Sequence, residues 1–334
     1  MIVDAHLDIG YNALLNGHNF LGDPAPGHLV SRGSLVNAGI GLVGATLMCP
    51  PAASRRHIES LGTASIEEPT ALFYRTAREA SLIAQAQIGY YRSVGLELIR
   101  DREGLNDFVR SWSPGKLAAV LLLEGADAIE RPEQLGAWAE SGLRVIGLAW
   151  TRTRYAGGTG KPGGVTKLGR ALLAAMDRNG LILDISHLAE QAVADVFELW
   201  RGPIMASHSN SRELAPGDRQ ISDATMRELG TRGGVIGISF YGGHLKPTGP
   251  AGVEDIVNHV LHVAREAGGP EHVGIGSDLD GGFPAKEAAI QTMTGFDAVK
   301  AALRQHLSAD QIEGVMGRNW LTFFGRSLPP RVGN

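Results

Sequence analysis

A single (β/α)8 TIM-type barrel with extra C-terminal helices is the α/β fold class predicted by this 334-residue sequence, on three observations. Eight short apolar runs recur along the chain, and most are followed by a segment whose apolar residues have helical spacing. Two of these runs, 181–187 (LILDISH) and 203–210 (PIMASHSN), are joined by 188–202, which carries Ala189, Ala192, Val193, Val196 and Leu199 on one helical face. That is a βαβ unit with parallel strands. Each strand carries Ser-His near its end, so His187 and His208 emerge together at the carboxyl end of the sheet. In barrels and open α/β sheets alike, chemistry is built at that end. No linker, low-complexity run or internal repeat divides the chain, so residues 1–334 are expected to form one domain. A doubly wound open sheet is the alternative architecture.

Taken in order, residues 1–6 (MIVDAH) read as strand one, running on into Leu7 and Asp8. Residues 17–34 read as a loop, and 42–48 (LVGATLM) as strand two, ended by Cys49-Pro50-Pro51. Residues 55–69 form a polar surface excursion. The spacing of Leu72, Ala80, Ile83, Ile88 and Leu96 predicts a long helix over 69–101, with Pro69 near its start. Strand three, 117–124 (LAAVLLLE), is apolar on both faces, as buried parallel strands are. A short helix over 132–141 precedes strand four, 145–150 (VIGLAW).

The basic, glycine-rich 151–164 reads as a loop at the barrel mouth. Its GGTGK invites a phosphate-loop reading that fails, because Pro162 follows the lysine where Ser or Thr is needed. A helix over 166–179 ends at Gly180, placed as a C-terminal cap. After strands five and six, Ser222 caps a helix over 222–232. Strand seven is 235–240 (VIGISF), followed by a helix over 253–267 and strand eight, 273–277 (VGIGS). Helices over 296–307 and 309–324 close the chain.

Composition narrows the function. The net charge of −4 offers no basic excess for nucleic acid or an anionic membrane. A single cysteine, Cys49, excludes an internal disulfide and fits a reducing compartment. No stretch approaches the roughly 20 apolar residues of a membrane span, and Met1-Ile2-Val3-Asp4 enters strand-like sequence without a basic leader. A cytoplasmic protein without nucleic-acid or membrane partners is expected. There is no Gly-x-Ser-x-Gly elbow and no motif around Cys49, which disfavours serine and cysteine nucleophiles.

A barrel gathers the polar residues at its strand ends into one site. Strand one offers His6 and Asp8, two apart and so on one side of an extended chain. Strand three ends in Glu124, strand five in His187, strand six in His208, and Asp278 follows strand eight. Three histidines and three carboxylates suit a pair of divalent ions such as Zn²⁺. His6 and Asp8 would hold one ion, His187 and His208 the other, with Glu124 bridging them. Two ions about 3.5–4 Å apart share a water and lower its pKa towards about 7, which supplies hydroxide. Asp278 is left to shuttle a proton.

The segments Asp4-Ala5-His6-Leu7-Asp8, Leu123-Glu124-Gly125, Asp184-Ile185-Ser186-His187, Ala206-Ser207-His208-Ser209-Asn210 and 274–281 (GIGSDLDG) together resemble the membrane (renal-type) dipeptidases. These are binuclear zinc peptidases of the amidohydrolase superfamily, and the resemblance runs from Met1 to about Phe324. It implies hydrolysis of dipeptides with a free C-terminal carboxylate, including those with a D-residue at that end, through a metal-bridging hydroxide. It makes His6, Asp8, Glu124, His187 and His208 the ligands of two Zn²⁺. Arg219, in Asp218-Arg219-Gln220, matches the arginine that holds the substrate carboxylate, and Asp278 the group that passes a proton to the leaving amine.

One position departs from the family. Where its fourth strand ends in a histidine that polarises the scissile carbonyl, this chain has Trp150. Indole offers only an N–H donor, so Trp150, or Arg152 or Arg154 nearby, takes that place, or the substrate range differs. Tyr241, just past strand seven, is a candidate pocket wall. The rival readings are a cyclic amidase or deaminase of the same superfamily, and a non-catalytic metal-binding descendant. A homodimer is left open.

Overall fold

The computed structural model describes residues 1–55 and 72–331. Its main sheet contains the parallel strands β1 (Ile2–Leu7), β2 (Ile40–Met48), β3 (Ala118–Glu124), β4 (Leu143–Gly147), β5 (Ile182–Asp184), β6 (Ile204–Met205), β7 (Ile236–Ile238) and β8 (Val273–Ile275). They are ordered β7-β8-β1-β2-β3-β4-β5-β6. The circle closes just past β6. There the Ala206 N–H donates to the Val235 carbonyl at 3.0 Å, and the Ala206 carbonyl accepts from Gly237 N–H at 2.8 Å. Gly237 is required at this seam, since a Cβ there would lie 1.9 Å from the Ser207 carbonyl oxygen. The expected eight-stranded barrel is present, with the two-residue strand Glu97–Leu98 added beside β3.

Alternation along β3 shows how the barrel fills. Ala119, Leu121 and Leu123 pack outward against helices, while Ala118, Val120 and Leu122 share the interior with Val3, Ala5, Leu42 and Val145. Glu124 continues that inner row, so the strand's period of two aims its carboxylate into the barrel mouth. At the opposite end Trp320, Phe323 and Phe324 of the helix Asn319–Ser327 close the interior. Trp320 Nε1 donates to the Ile275 carbonyl at 2.9 Å. The extra C-terminal helices, Gly295–Leu303, Ala309–Glu313 and Asn319–Ser327, are as expected, except that a π-turn over Gly314–Arg318 interrupts 309–324.

Several boundaries differ from the sequence reading; β4, for one, runs Leu143–Gly147 and stops short of Trp150. β5 and β6 stop at Asp184 and Met205, short of the Ser-His pairs, because the Asp184 carboxylate takes over from the ladder. Its Oδ1 accepts the N–H groups of Ser186 and Ser207, each at 2.9 Å, and its Oδ2 accepts the Ser207 hydroxyl at 2.6 Å. The segment 151–164 is no plain loop. It contains most of the antiparallel hairpin Ala156–Gly158 and Lys161–Val165, turning at Gly160 with φ +67°. The long helix over 69–101 is a helix Ala77–Ser93, opened by a Thr76–Glu79 capping box and ended before Gly95 at φ +65°. Pro69, with the 55–69 excursion beyond Arg55, lies outside the described residues. Finally, Asp8 leads straight into a helix, Ile9–Asn16, that the sequence reading left unassigned. The cap at Ser222 and the helix Val253–Ala267 agree with expectation, and Thr166, expected inside its helix, instead caps Lys167–Arg178. Among the described residues, no helix is long and apolar enough to cross a membrane.

Candidate active site

At the carboxyl end of the strands, Glu124 is the centre of a cluster. Its Oε1 lies 3.0 Å from His187 Nε2 and 3.5 Å from His208 Nε2, and its Oε2 lies 3.6 Å from His6 Nε2. His187 Nε2 and His208 Nε2 are 3.0 Å apart. The His6 and His208 rings stack with centroids 3.5 Å apart. Asp8, bonded to the Thr46 hydroxyl, and Asp278 complete the group: one ligand atom each from His6, Asp8 and Asp278 fall within 4.8 Å of one another. The six residues picked from the sequence at five strand ends are thus brought together.

A layer of hydroxyls and carboxylates beneath the cluster sets the ring orientations. Ser207 Oγ bonds both His6 Nδ1, at 3.0 Å, and His208 Nδ1, at 2.9 Å, while Thr159 Oγ1 bonds His187 Nδ1 at 3.1 Å. With each Nδ1 so engaged, every Nε2 is turned to the centre. Asp4 repeats on β1 and β8 what Asp184 does on β5 and β6. Its Oδ1 accepts from Ser277 N–H at 2.8 Å, and its other oxygen accepts the Ser277 hydroxyl. His187 and Asp278 adopt left-handed backbone, φ +66° and +59°, which turns their side chains back over the barrel. Such non-glycine conformations cost energy and persist where the surroundings over-determine them.

Burial dominates the electrostatics. It pushes His208 well below the ordinary imidazole range, with His6 adding to the effect, and takes His187 down to about 4, with Arg219 adding. Burial alone would raise Glu124, but His6 and His187 outweigh it and hold the carboxylate well below its usual range. Burial raises Asp8 to about 6 with Glu124 beside it, and lifts Asp278 well above the ordinary range despite the pull of His6. Asp278 can therefore carry a proton where an exposed aspartate would not.

This donor set fits a metal centre. His6 Nε2 is buried without a hydrogen-bond partner, and the imidazoles of His187 and His208, held low by burial, face the Glu124 carboxylate at distances a cation would span. Burial would lower His6 too, but Glu124 outweighs it and raises that imidazole to about 9. His6, Glu124 and His208 form one ligand-like group, and His6, Asp8 and Asp278 a second. The two groups share His6, and His187 belongs to neither.

The cluster floors a cavity of about 570 Å³, which Trp150, Arg219, Tyr241 and His244 also line. Arg219 is only 9 % exposed, although its place after Pro216-Gly217 favours a surface position. Its Nη2 donates to the His208 carbonyl at 2.7 Å, and its Nε is buried without a partner. Trp150 lies 6.2 Å from the His187 ring, centroid to centroid, and packs against the group Tyr11, Leu15, Met48 and Phe73. Tyr241 stacks on Phe283 at 4.4 Å. Neither Arg152 nor Arg154 lines the cavity. Arg152 bonds the Pro162 carbonyl of the hairpin, and Arg154 is tied to Asp127 and the Ile129 carbonyl. Besides the strand-tying roles of Asp4 and Asp184, two features escaped the sequence reading. One is the hairpin that carries Thr159, whose glycines read as a loop; the other is His244, which belongs to no motif.

An eight-stranded parallel barrel with histidines and carboxylates converging at its carboxyl end has the build of a barrel metallohydrolase. The profile of the membrane dipeptidase family (Peptidase family M19) matches residues 87–327, and the chain belongs to that family. It is 30% identical over 236 residues to the dipeptidase tcpJ of Claviceps purpurea, covering 67% of this chain and 55% of that protein. It is 30% identical over 221 residues to the dipeptidase aclJ of Aspergillus oryzae, covering 64% and 52%. The chain therefore spans about half the length of these relatives. A metallo-peptidase from Rhodobacter sphaeroides, solved with a phosphinate mimic of the dipeptide L-Ala-D-Ala, superposes with TM-score 0.83 at 25% identity, covering 98% of this chain and 99% of that one. Dipeptidase AC, a metallo-peptidase of family M19, gives 0.81 at 26% identity, covering 98% of each chain.

Proposed function

We propose that the protein is a zinc-dependent dipeptidase that cleaves dipeptides bearing a free C-terminal carboxylate. The observation that carries this reading is the convergence of three imidazoles on Glu124 at the floor of a cavity that also presents the buried, incompletely paired Arg219. His6, Asp8, Glu124, His187 and His208 would hold two Zn²⁺ ions, with Glu124 between them. When bound, such ions polarise the scissile carbonyl and make water a nucleophile at neutral pH.

The chain's own residues supply the rest. Arg219 offers a planar guanidinium to the terminal carboxylate and so sets the length of substrate accepted. Asp278 takes a proton from the attacking water on a carboxyl oxygen. It then delivers that proton to the amide nitrogen as the C–N bond breaks, leaving a free carboxylate and a free amine. Likeness to the Rhodobacter sphaeroides structure supports acceptance of a D-residue on the C-terminal side. The single, buried Cys49 supports a reducing, cytoplasmic setting.

A library of L,L- and L,D-dipeptides tests the reading, assayed with native protein, with chelated protein and after zinc is restored. Hydrolysis lost on chelation and regained with zinc is expected. Turnover confined to cyclic amides or aminated heterocycles would assign the site to another amidohydrolase reaction. Metal binding without any turnover would mark a non-catalytic descendant.

A further inference from the structure

His244 lines the cavity, yet the hydrolysis described above gives it no task. It lies on the short helix Gly242–Leu245 that follows β7, and its position is fixed from the neighbouring strand end. Asn210 Nδ2 donates to the carbonyls of both Ser239 and His244, each at 3.0 Å, while Asn210 Oδ1 accepts from Ser239 N–H at 2.9 Å. Asn210 is two residues beyond His208, whose carbonyl holds Arg219. One short stretch of chain therefore registers His244 against Arg219, and the two lie within electrostatic reach of each other.

The hydrogen bonds also select a tautomer. Ser239 Oγ accepts from Tyr241 N–H at 3.3 Å and lies 3.0 Å from His244 Nδ1. The arrangement that gives the serine hydrogen a partner has the hydroxyl donating to Nδ1, which leaves the ring hydrogen on Nε2. The Tyr241 ring meets the imidazole edge-on, centroids 4.9 Å apart, and is itself stacked on Phe283. The ring is thus restrained in plane and position, with its second nitrogen uncommitted.

We infer that His244, through Nε2–H, binds the terminal carboxylate of the substrate alongside Arg219, so that two donors from neighbouring strand ends select dipeptides over blocked ones. This inference rests on the dipeptidase reading. A carboxylate has two oxygens and about four lone-pair directions, more than one partly committed guanidinium fills. A neutral N–H beside the arginine adds a hydrogen bond to the anion without adding a second positive charge to a buried site.

The test compares native protein with His244→Phe, His244→Gln and Ser239→Ala. KM and kcat are measured for a free dipeptide and its C-terminal amide, with melting temperature and zinc content recorded for each variant. His244→Phe is expected to raise KM for the free dipeptide by about 10- to 100-fold, the effect of losing a hydrogen bond to a charged group. The preference for free over amidated substrate, as a ratio of kcat/KM, falls by the same factor. His244→Gln, which keeps an N–H donor, recovers most of the loss. Ser239→Ala releases the tautomer and raises KM part of the way, so the inference can be tested even if the phenylalanine variant does not fold. Proportional losses on both substrates, or an unchanged KM for the free dipeptide, would overturn the inference while leaving the dipeptidase reading intact. A native enzyme that cleaves no dipeptide would overturn both.

Discussion

Arg219 and Trp150 show how the surroundings of one side chain decide its use. Arg219 is buried, bonded through Nη2 to the His208 carbonyl, and left with an unpaired Nε beside the cavity. Placing a guanidinium there is costly unless an anion completes it. Arg219→Met should therefore raise KM for free dipeptides by about 100-fold or more, as truncating one member of a buried charge pair does. Amidated dipeptides should already be poor substrates of the native enzyme; equal turnover of free and amidated forms would refute the role. Trp150 is different. It packs against the apolar group around Tyr11, Met48 and Phe73, as a wall does. Trp150→Phe removes only the indole N–H, so steady-state kinetics of this variant should show kcat preserved and the preference among substrate side chains shifted. A loss of about 100-fold in kcat with metal content unchanged would instead make the N–H a donor to the reacting carbonyl.

At the scale of elements, a buried aspartate ties each of two pairs of strand ends. Asp184 joins β5 to β6 through Ser186 and Ser207, and Asp4 joins β1 to the end of β8 through Ser277. The proposed ligand residues were legible in the sequence because each polar group lies at the end of an apolar run. These aspartates were not, because their partners lie on other strands and only the pairing reveals them. The predicted strands ran too long for the same reason: apolar residues continue past the point where Asp184 replaces the ladder. His244 escaped for want of any pattern, being placed by Asn210 and Ser239 rather than by its neighbours in sequence.

Further from the cluster, His259 on the helix Val253–Ala267 fastens the stretch after His208. Its Nδ1 accepts from Ser211 N–H at 3.0 Å, and its Nε2–H donates to the Leu245 carbonyl at 2.9 Å. Burial, with His262 adding and Asp255 opposing, lowers its pKa from 6.5 to about 4. A histidine depressed in the folded state contributes stability that is full above its unfolded pKa and lost as pH falls through the folded one. Between pH 6.5 and 4 that loss is roughly 3 kcal/mol. His259→Gln keeps a donor and an acceptor but does not titrate. Urea unfolding should show native protein losing more stability across this window than the variant does; parallel curves would refute the assignment.

Taken whole, the molecule separates stability from chemistry by the ends of its barrel. The amino-terminal end is closed by Trp320, Phe323 and Phe324, and the carboxyl end carries the polar cluster under an open cavity. That division was readable in advance, because eight apolar runs and their helices fix which strand ends face the same way. The hairpin that brings Thr159 to His187 was not, since its glycines serve equally for a loop and for the tight turn at Gly160. The central claim is that two ions share Glu124. Elemental analysis of zinc-reconstituted, fully active protein tests it most directly. About two Zn²⁺ per chain are predicted, with Glu124→Gln holding fewer and losing most activity. One ion or none in active, unchelated protein would contradict the claim.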